Sequence, residues 1–73
     1  MKKLRSHPFM ERRTVVAYET DSGGYVQVCD VRALYYGEYC VEHFTENGGM
    51  AMTYSSPNLE KCIAKAEKYA AEH

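Results

Sequence analysis

The side chains most capable of chemistry in this chain are three cysteines and one histidine close to them in sequence. Cys40 and His43 lie three residues apart, Cys29 precedes them, and Cys62 follows them. Structural zinc sites draw on these residue types and usually take their ligands in close pairs. Cys40 and His43 fall in a predicted strand, where residues three apart point to opposite faces of the sheet. The spacing therefore predicts no metal site and three reduced, buried thiols.

Catalysis by a cysteine or serine would require a histidine within reach and a third group to orient it. His43 is the only histidine in the predicted sheet, because His7 lies near the start and His73 is the last residue. Its predicted neighbours, Val41 and Met52, supply no carboxylate. A chain of 73 residues also leaves little room for a substrate cleft. We expect neither an enzyme nor a cofactor-binding protein.

Length and composition are those of a small soluble domain. The chain is 45% hydrophobic and 26% charged, and 73 residues are too few for two separate cores. Its three cysteines cannot all pair with one another, and the basic start "MKKLRSHPFM" leads into no apolar signal-peptide core. No segment approaches the roughly 18 consecutive apolar residues of a membrane span. We expect a cytoplasmic protein that makes no membrane contact.

Two glycine-rich segments, "DSGG" at 21–24 and "ENGG" at 46–49, separate stretches rich in valine, tyrosine and threonine. This arrangement is typical of β-hairpins. Neither segment opens a helix, as a phosphate-binding loop would. A turn or bulge at Tyr36 and Gly37 is expected between the two hairpins. The predicted strands form an antiparallel meander and lie near 13–20, 25–34, 38–45 and 50–55.

The hydrophobic period changes after residue 56 to the three- and four-residue spacing of one helix face. The apolar positions are Leu59, Cys62, Ile63, Ala66, Tyr69 and Ala70. Ser56 is the predicted N-cap, and Pro57 suits the first turn. The predicted fold is α+β, a four-stranded antiparallel meander of two hairpins with one C-terminal amphipathic helix packed on one face. Residues 13–73 form this domain, preceded by a basic, flexible arm of residues 1–12.

The Asn47-Gly48 pair predicts the alignment of the second hairpin. A two-residue turn there would place Thr45 opposite Met50 and His43 opposite Met52. The face expected to lie under the helix would then carry Tyr39, Val41, His43, Met50, Met52 and Tyr54. Because a single helix covers one side of a sheet, we expect the other side to leave apolar surface exposed for a partner.

The first functional hypothesis is a non-catalytic protein-binding module. Residues 14–73 contain nine acidic and four basic side chains, so that this part of the chain would attract a basic partner surface. Tyr35 and Tyr36 lie at the predicted turn beside Gly37, where burial is difficult and where tyrosine often contacts a partner. The predicted partner-binding residues are Tyr35, Tyr36, Glu38 and Glu42.

In its size, its acidic body and its order of strands and helix across residues 13–73, the chain resembles many small phage-encoded inhibitors, some anti-CRISPR proteins among them. This resemblance is one of general build. It implies a protein that blocks a host nucleic-acid-handling complex by protein–protein contact.

Two alternatives stay open. The first is a small DNA- or RNA-binding domain, because the order of elements also resembles the arm-binding domains of phage-type integrases, which place a three-stranded sheet in the major groove. Arg32 is the only base in the predicted strands after residue 13, which is few for a sheet that contacts phosphates. The second alternative is a homodimeric accessory or structural subunit that pairs through the uncovered sheet face. The nucleic-acid hypothesis uses the basic residues Lys2, Lys3, Arg5, Arg12 and Arg13.

Overall fold

The computed structural model describes residues 1–34 and 37–73, which form one antiparallel sheet and one helix. The strand order in the sheet follows the chain, β1-β2-β3-β4-β5. The predicted α+β meander with a C-terminal helix is confirmed, whereas the predicted number of four strands is wrong because the described residues form five. The elements are β1 Lys2–Leu4, β2 Thr14–Glu19, β3 Tyr25–Asp30, β4 Tyr39–Phe44, β5 Met50–Ser56 and α1 Leu59–Glu72.

The additional strand, β1, lies in the segment predicted to be an arm. Lys2 is opposite Glu19 and Leu4 is opposite Ala17 in the ladder with β2. The amino group of Met1 lies 3.2 Å from Asp21 Oδ1 in the turn that follows β2. No strand pattern is readable in residues 2–4, because only Leu4 is apolar and the pairing comes from the neighbouring strand. The division of the chain at residue 12 stays a prediction.

Thr20 and Gly24 extend the pairing of β2 and β3 by one position, and the three residues 21–23 form the loop between them. The Thr20 amide donates to the Gly24 carbonyl over 2.9 Å, and the Gly24 amide donates to Thr20 Oγ1 over 2.9 Å. Gly23 ends the loop with a φ of 91°, in the left-handed region that favours glycine. Hairpin loops of three residues commonly end in such a residue.

The loop between β4 and β5 repeats this geometry. The Thr45 amide donates to the Gly49 carbonyl over 2.8 Å, the Gly49 amide donates to Thr45 Oγ1 over 2.9 Å, and Gly48 has a φ of 86°. The predicted two-residue turn at Asn47-Gly48 is therefore wrong. Met50 lies opposite Phe44 rather than Thr45. A slip of one residue transfers each side chain to the other face of the sheet.

A bulge in β5 then reverses that slip. Val41 lies opposite Tyr54, whereas Glu42 lies opposite Met52, so Thr53 is an extra residue with no partner in the ladder. Its Oγ1 donates to the Val41 carbonyl over 3.4 Å. Tyr54 consequently faces α1, while Met52 faces away from it.

The larger core lies between α1 and one face of the sheet, and a small buried cluster of Cys29, Val31 and Cys40 lies on the other face. Cys62, Ala66 and Ala70 are small residues, and they allow the helix backbone to approach the strands closely. Each valine buried there stabilises the folded state by about 1.5–3 kcal/mol, because its side chain is removed from water. Met50 and Met52 are absent from this core and are 57% and 64% exposed, so the prediction that they lie under the helix is wrong. The strand residues of the core are Val16, Tyr18, Val26, Val28 and Val41.

The helix begins two residues later than its predicted cap implies. Asn58 is the N-cap, and its side chain accepts a hydrogen bond from the Lys61 amide over 3.1 Å. Ser56 Oγ instead accepts from the Asn58 amide over 3.1 Å, which shapes the connection from β5. Ser56 is therefore the last residue of β5 rather than the cap.

Candidate functional site

The face of the sheet turned away from α1 is called the open face here. Ladder register places on it alternate residues of each strand, beginning with Leu4 of β1 and Ala17 of β2. The open-face residues of the remaining strands are Tyr25, Gln27, Cys29, Cys40, Glu42, Phe44, Met50, Met52 and Ser55.

The segment between β1 and β2 covers one end of the open face. The ring of His7 stacks on Tyr25 with centroids 5.2 Å apart, and the ring of Phe9 stacks on Phe44 at 4.5 Å. Burial lowers the pKa of His7, which favours the neutral ring in this stack. The aromatic end of the open face is thus partly covered by the chain's own residues.

A polar network occupies the middle of the open face. Glu42 Oε1 accepts hydrogen bonds from Gln27 Nε2 at 3.1 Å and from Cys29 Sγ at 3.0 Å. Thr14 Oγ1 donates to Gln27 Oε1 over 3.2 Å and itself accepts from the Glu11 amide. Gln27 is fully buried, so these bonds satisfy an amide that would otherwise be costly to bury. The network holds the half-buried Glu42 side chain in one orientation.

Two shallow cavities lie on the open face beyond this network. One of about 180 Å³ is lined by Glu11, Arg13, Cys29, Val31, Leu34 and Glu42. A smaller one of about 60 Å³ is lined by Val31, Glu38, Cys40, Met52 and Ser55. Val31 lines both, so they adjoin one another. The first has two carboxylates and the guanidinium of Arg13 at its wall, and the second has one carboxylate.

Large apolar side chains stand beside these carboxylates. Leu34 is 60% exposed at the first cavity, and Met52 is 64% exposed at the second. Single exposed apolar side chains are ordinary on a protein surface, whereas several on one face are informative. The acidic and apolar surface formed by Leu34, Glu38, Glu42 and Met52 is called the acidic apolar patch below.

Two of the four predicted partner-binding residues belong to this patch. Glu38 and Glu42 are half-buried and line its two cavities. Tyr35 and Tyr36 lie outside the described residues. Sequence reasoning missed Leu34 and Met52. Leu34 was assigned to a strand, and Met52 was assigned to the helix side because the predicted register of β5 was shifted by one residue. The signal for Met52 was the repeated pattern of Thr-x-x-Gly-Gly at both hairpin loops.

The predicted nucleic-acid residues are all exposed, but the structure separates the two lysines from the last two arginines. Lys2 is paired across from Glu19 at the end of β2. Arg12 and Arg13 precede the start of that strand, about 20 Å away at the usual rise per strand residue. Arg32 is held by Asp30, to which it donates two hydrogen bonds of 2.9 Å.

The thiols are poorly placed for nucleophilic chemistry. Burial raises the pKa of Cys29, and the adjacent Glu42 carboxylate raises it further. Burial, with the same carboxylate adding to it, raises the pKa of Cys40 to about 11. Because the thiolate is the reactive form, both groups stay protonated and inert at neutral pH. His43 lies on the other face of the sheet, where its Nδ1 is 3.3 Å from the Tyr69 hydroxyl.

Within residues 1–34 and 37–73, no group of three histidine, cysteine or carboxylate side chains is placed to hold a metal ion. The described part of the chain also forms no helix with the length and apolar character needed to cross a membrane. Comparisons with models of protein families, with curated proteins and with solved structures found no match to this chain.

Proposed function

We propose that this chain is a non-catalytic protein-binding module and that the acidic apolar patch is its binding surface. The observation that carries the proposal is the exposure of Leu34 and Met52 directly beside the carboxylates Glu38 and Glu42. A contiguous exposed surface of this kind is typical of sites that a partner covers.

The charge of the patch defines the chemistry of the partner. The two ion pairs within the described residues are those of Met1 with Asp21 and of Arg32 with Asp30, and neither uses Glu38 or Glu42. A lysine or arginine of a partner would form charge-assisted hydrogen bonds with these carboxylates, flanked by apolar contacts to Leu34 and Met52. The partner surface is therefore basic with an apolar centre.

The network behind Glu42 supports this function. Gln27 and Cys29 fix the carboxylate before a partner arrives, so less side-chain freedom is lost on binding. A basic groove that handles nucleic acid matches the patch in charge, and a module bound there would block it. This is the inhibitor function implied by the general build of the chain.

Direct binding of nucleic acid has weaker support. The lysines of β1 lie across from the end of β2, whereas Arg12 and Arg13 precede its start. Arg13 shares its cavity with two carboxylates, Glu11 and Glu42, which repel phosphate. Tyr35 and Tyr36 follow Leu34 in sequence and stay predicted contact residues.

The test is affinity purification from the cytoplasm of the source or host cell, with three baits measured in parallel. The wild type and the double variant Glu60→Gln, Glu67→Gln should both retain a basic partner protein. The double variant Glu38→Gln, Glu42→Gln removes the same charge from the patch and should lose it. Direct titration with the purified partner should show that the Glu38→Gln, Glu42→Gln variant binds about tenfold or more weakly than the wild type. Retention of the partner by the patch variant, or recovery of nucleic acid alone, would overturn the proposal.

A further inference from the structure

The two outer strands of the sheet differ in how they resist pairing with another chain. β1 has three residues, two of which are Lys2 and Lys3, and short, lysine-bearing edges are protected against further strands. β5 has seven residues, "MAMTYSS", without a charge or a proline. No strand among the described residues pairs with its outer side. The bulge at Thr53 is the one feature of β5 itself that disturbs this edge.

A groove runs along this edge between β5 and α1. Two adjoining cavities of about 240 and 400 Å³ form it, and both are lined by Tyr54, Lys65 and Lys68. Lys61 lines the larger cavity, and Glu72 closes the far end of the smaller. A strand added to β5 would place its helix-side residues in this groove, next to Tyr54, because side chains on neighbouring strands stand side by side.

The groove is positively charged. Lys61, Lys65 and Lys68 follow the spacing of one helix face, and none of them takes part in the two ion pairs of the described residues. Lys65 Nζ lies 5.4 Å from the centroid of the Tyr54 ring, so its charge is directed toward the groove rather than into bulk solvent.

We propose that β5 accepts an extended segment of a partner protein as a sixth strand, with acidic side chains toward α1 and apolar side chains toward the open face. Main-chain hydrogen bonds to β5 supply affinity, as in other cases of strand addition, and alternate side chains supply specificity. The acidic side chains contact Lys65 and Lys68, and the apolar ones pack beside Met50. The two sites share Met52 of β5, but their charged groups are separate, so changes at Glu38 and Glu42 or at Lys65 and Lys68 disable one site without removing the charges of the other.

A second copy of this chain fits the edge less well. Two antiparallel β5 strands related by a two-fold axis would bring both α1 helices to the same face of the joined sheet. Lys65 and Lys68 of each copy would then face those of the other, and like charges across a pair are destabilising. An acidic segment removes this repulsion, which is why it is the preferred occupant.

The test uses the full chain and synthetic peptides of about seven residues, the length of β5. The probes are an alternating valine-glutamate peptide, the corresponding valine-lysine peptide and an N-methylated valine-glutamate peptide that cannot donate strand hydrogen bonds. Fluorescence anisotropy should show the glutamate peptide binding about tenfold or more tightly than either control. The double variant Lys65→Glu, Lys68→Glu should reverse the preference in favour of the lysine peptide. The matched variant Lys2→Glu, Lys3→Glu on β1 should behave as the wild type.

Each contrary result overturns the proposal in an identifiable way. Absence of binding, or equal affinity for the N-methylated peptide, would show that the edge does not accept a strand. Tighter binding of a single-stranded oligonucleotide that competes with the peptide would make the groove a nucleic-acid site. A dimer that is detected by light scattering and dissociated by excess glutamate peptide would make a second copy the occupant of this edge. The Glu38 and Glu42 variant reports on the proposed function separately, because it leaves the groove intact.

Discussion

Glu42 and Met52 lie directly opposite one another on β4 and β5, on the face of the sheet that α1 leaves open. One position earlier on β4, Val41 lies opposite Tyr54 on the face that α1 covers. The extra residue Thr53 separates these two registers. A single bulge therefore places a methionine beside a carboxylate on the surface and keeps a tyrosine at the core.

This arrangement predicts that a new threonine costs little stability at Met52 and much more at Val41, on the neighbouring strand. Met52→Thr should change the free energy of unfolding by no more than about 0.5 kcal/mol, because the side chain is largely exposed. Val41→Thr should lower it by about 1–3 kcal/mol, because the added hydroxyl would be buried among valines without a partner. Urea denaturation with unchanged m values measures both. Comparable losses at the two positions would contradict the assigned faces.

The elements themselves were readable because their patterns are local. Stretches rich in valine, tyrosine and threonine predicted β2 to β5, the change of period predicted α1, and the glycine pairs placed both hairpin loops. Register was not readable from Asn47-Gly48 alone, because the hydrogen bond between the Gly49 amide and Thr45 Oγ1 makes the loop one residue longer. The same pattern begins at Thr20, so comparison of the two loops was the available signal.

The remaining features depend on contacts between residues far apart in sequence. β1 forms because its residues pair with β2, Leu4 opposite Ala17, and no local sequence pattern predicts this pairing. Charge predicted Glu38 and Glu42, but not the support that Gln27 gives to Glu42 from a neighbouring strand. Such a network becomes visible only when register is known.

The two hairpin loops allow one contact to be compared in two environments. Thr20→Val and Thr45→Val each remove a hydroxyl that accepts a hydrogen bond from a glycine amide, that of Gly24 in the first loop and that of Gly49 in the second. Thr20 is 3% exposed and Gly24 is buried, so the first change should cost about 1–3 kcal/mol of stability by leaving that amide without a partner. Thr45 and Gly49 are exposed, and water can replace the lost bond, so the second change should cost about 0.5 kcal/mol or less. Equal losses in thermal or urea denaturation would contradict this dependence on burial.

The thiols should be unreactive until the chain unfolds. At pH 8 a group with the raised pKa of Cys40, about 11, is thiolate in roughly one molecule in a thousand. Burial also raises the pKa of Cys62, and all three thiols lack solvent access. A thiol-specific reagent should therefore modify them slowly in the native protein and rapidly in denaturant. Glu42→Gln should increase the native rate at Cys29 by removing the adjacent charge. Rapid modification of the native wild type would contradict the buried placement.

His43 should make the fold sensitive to mild acid. Burial lowers its pKa below the ordinary value of 6.5, and the neighbouring His73 lowers it further. Between that lowered pKa and 6.5 the unfolded chain binds more protons than the folded one, so stability is present above about pH 6.5 and is lost as the pH falls through this window. His7 adds a contribution of the same sign, since burial lowers its pKa too. His43→Gln should therefore show a smaller drop in melting temperature than the wild type between about pH 7.5 and pH 5. His7→Gln should remove a separate part of the drop, and an unchanged pH dependence in the His43 variant would refute the assignment.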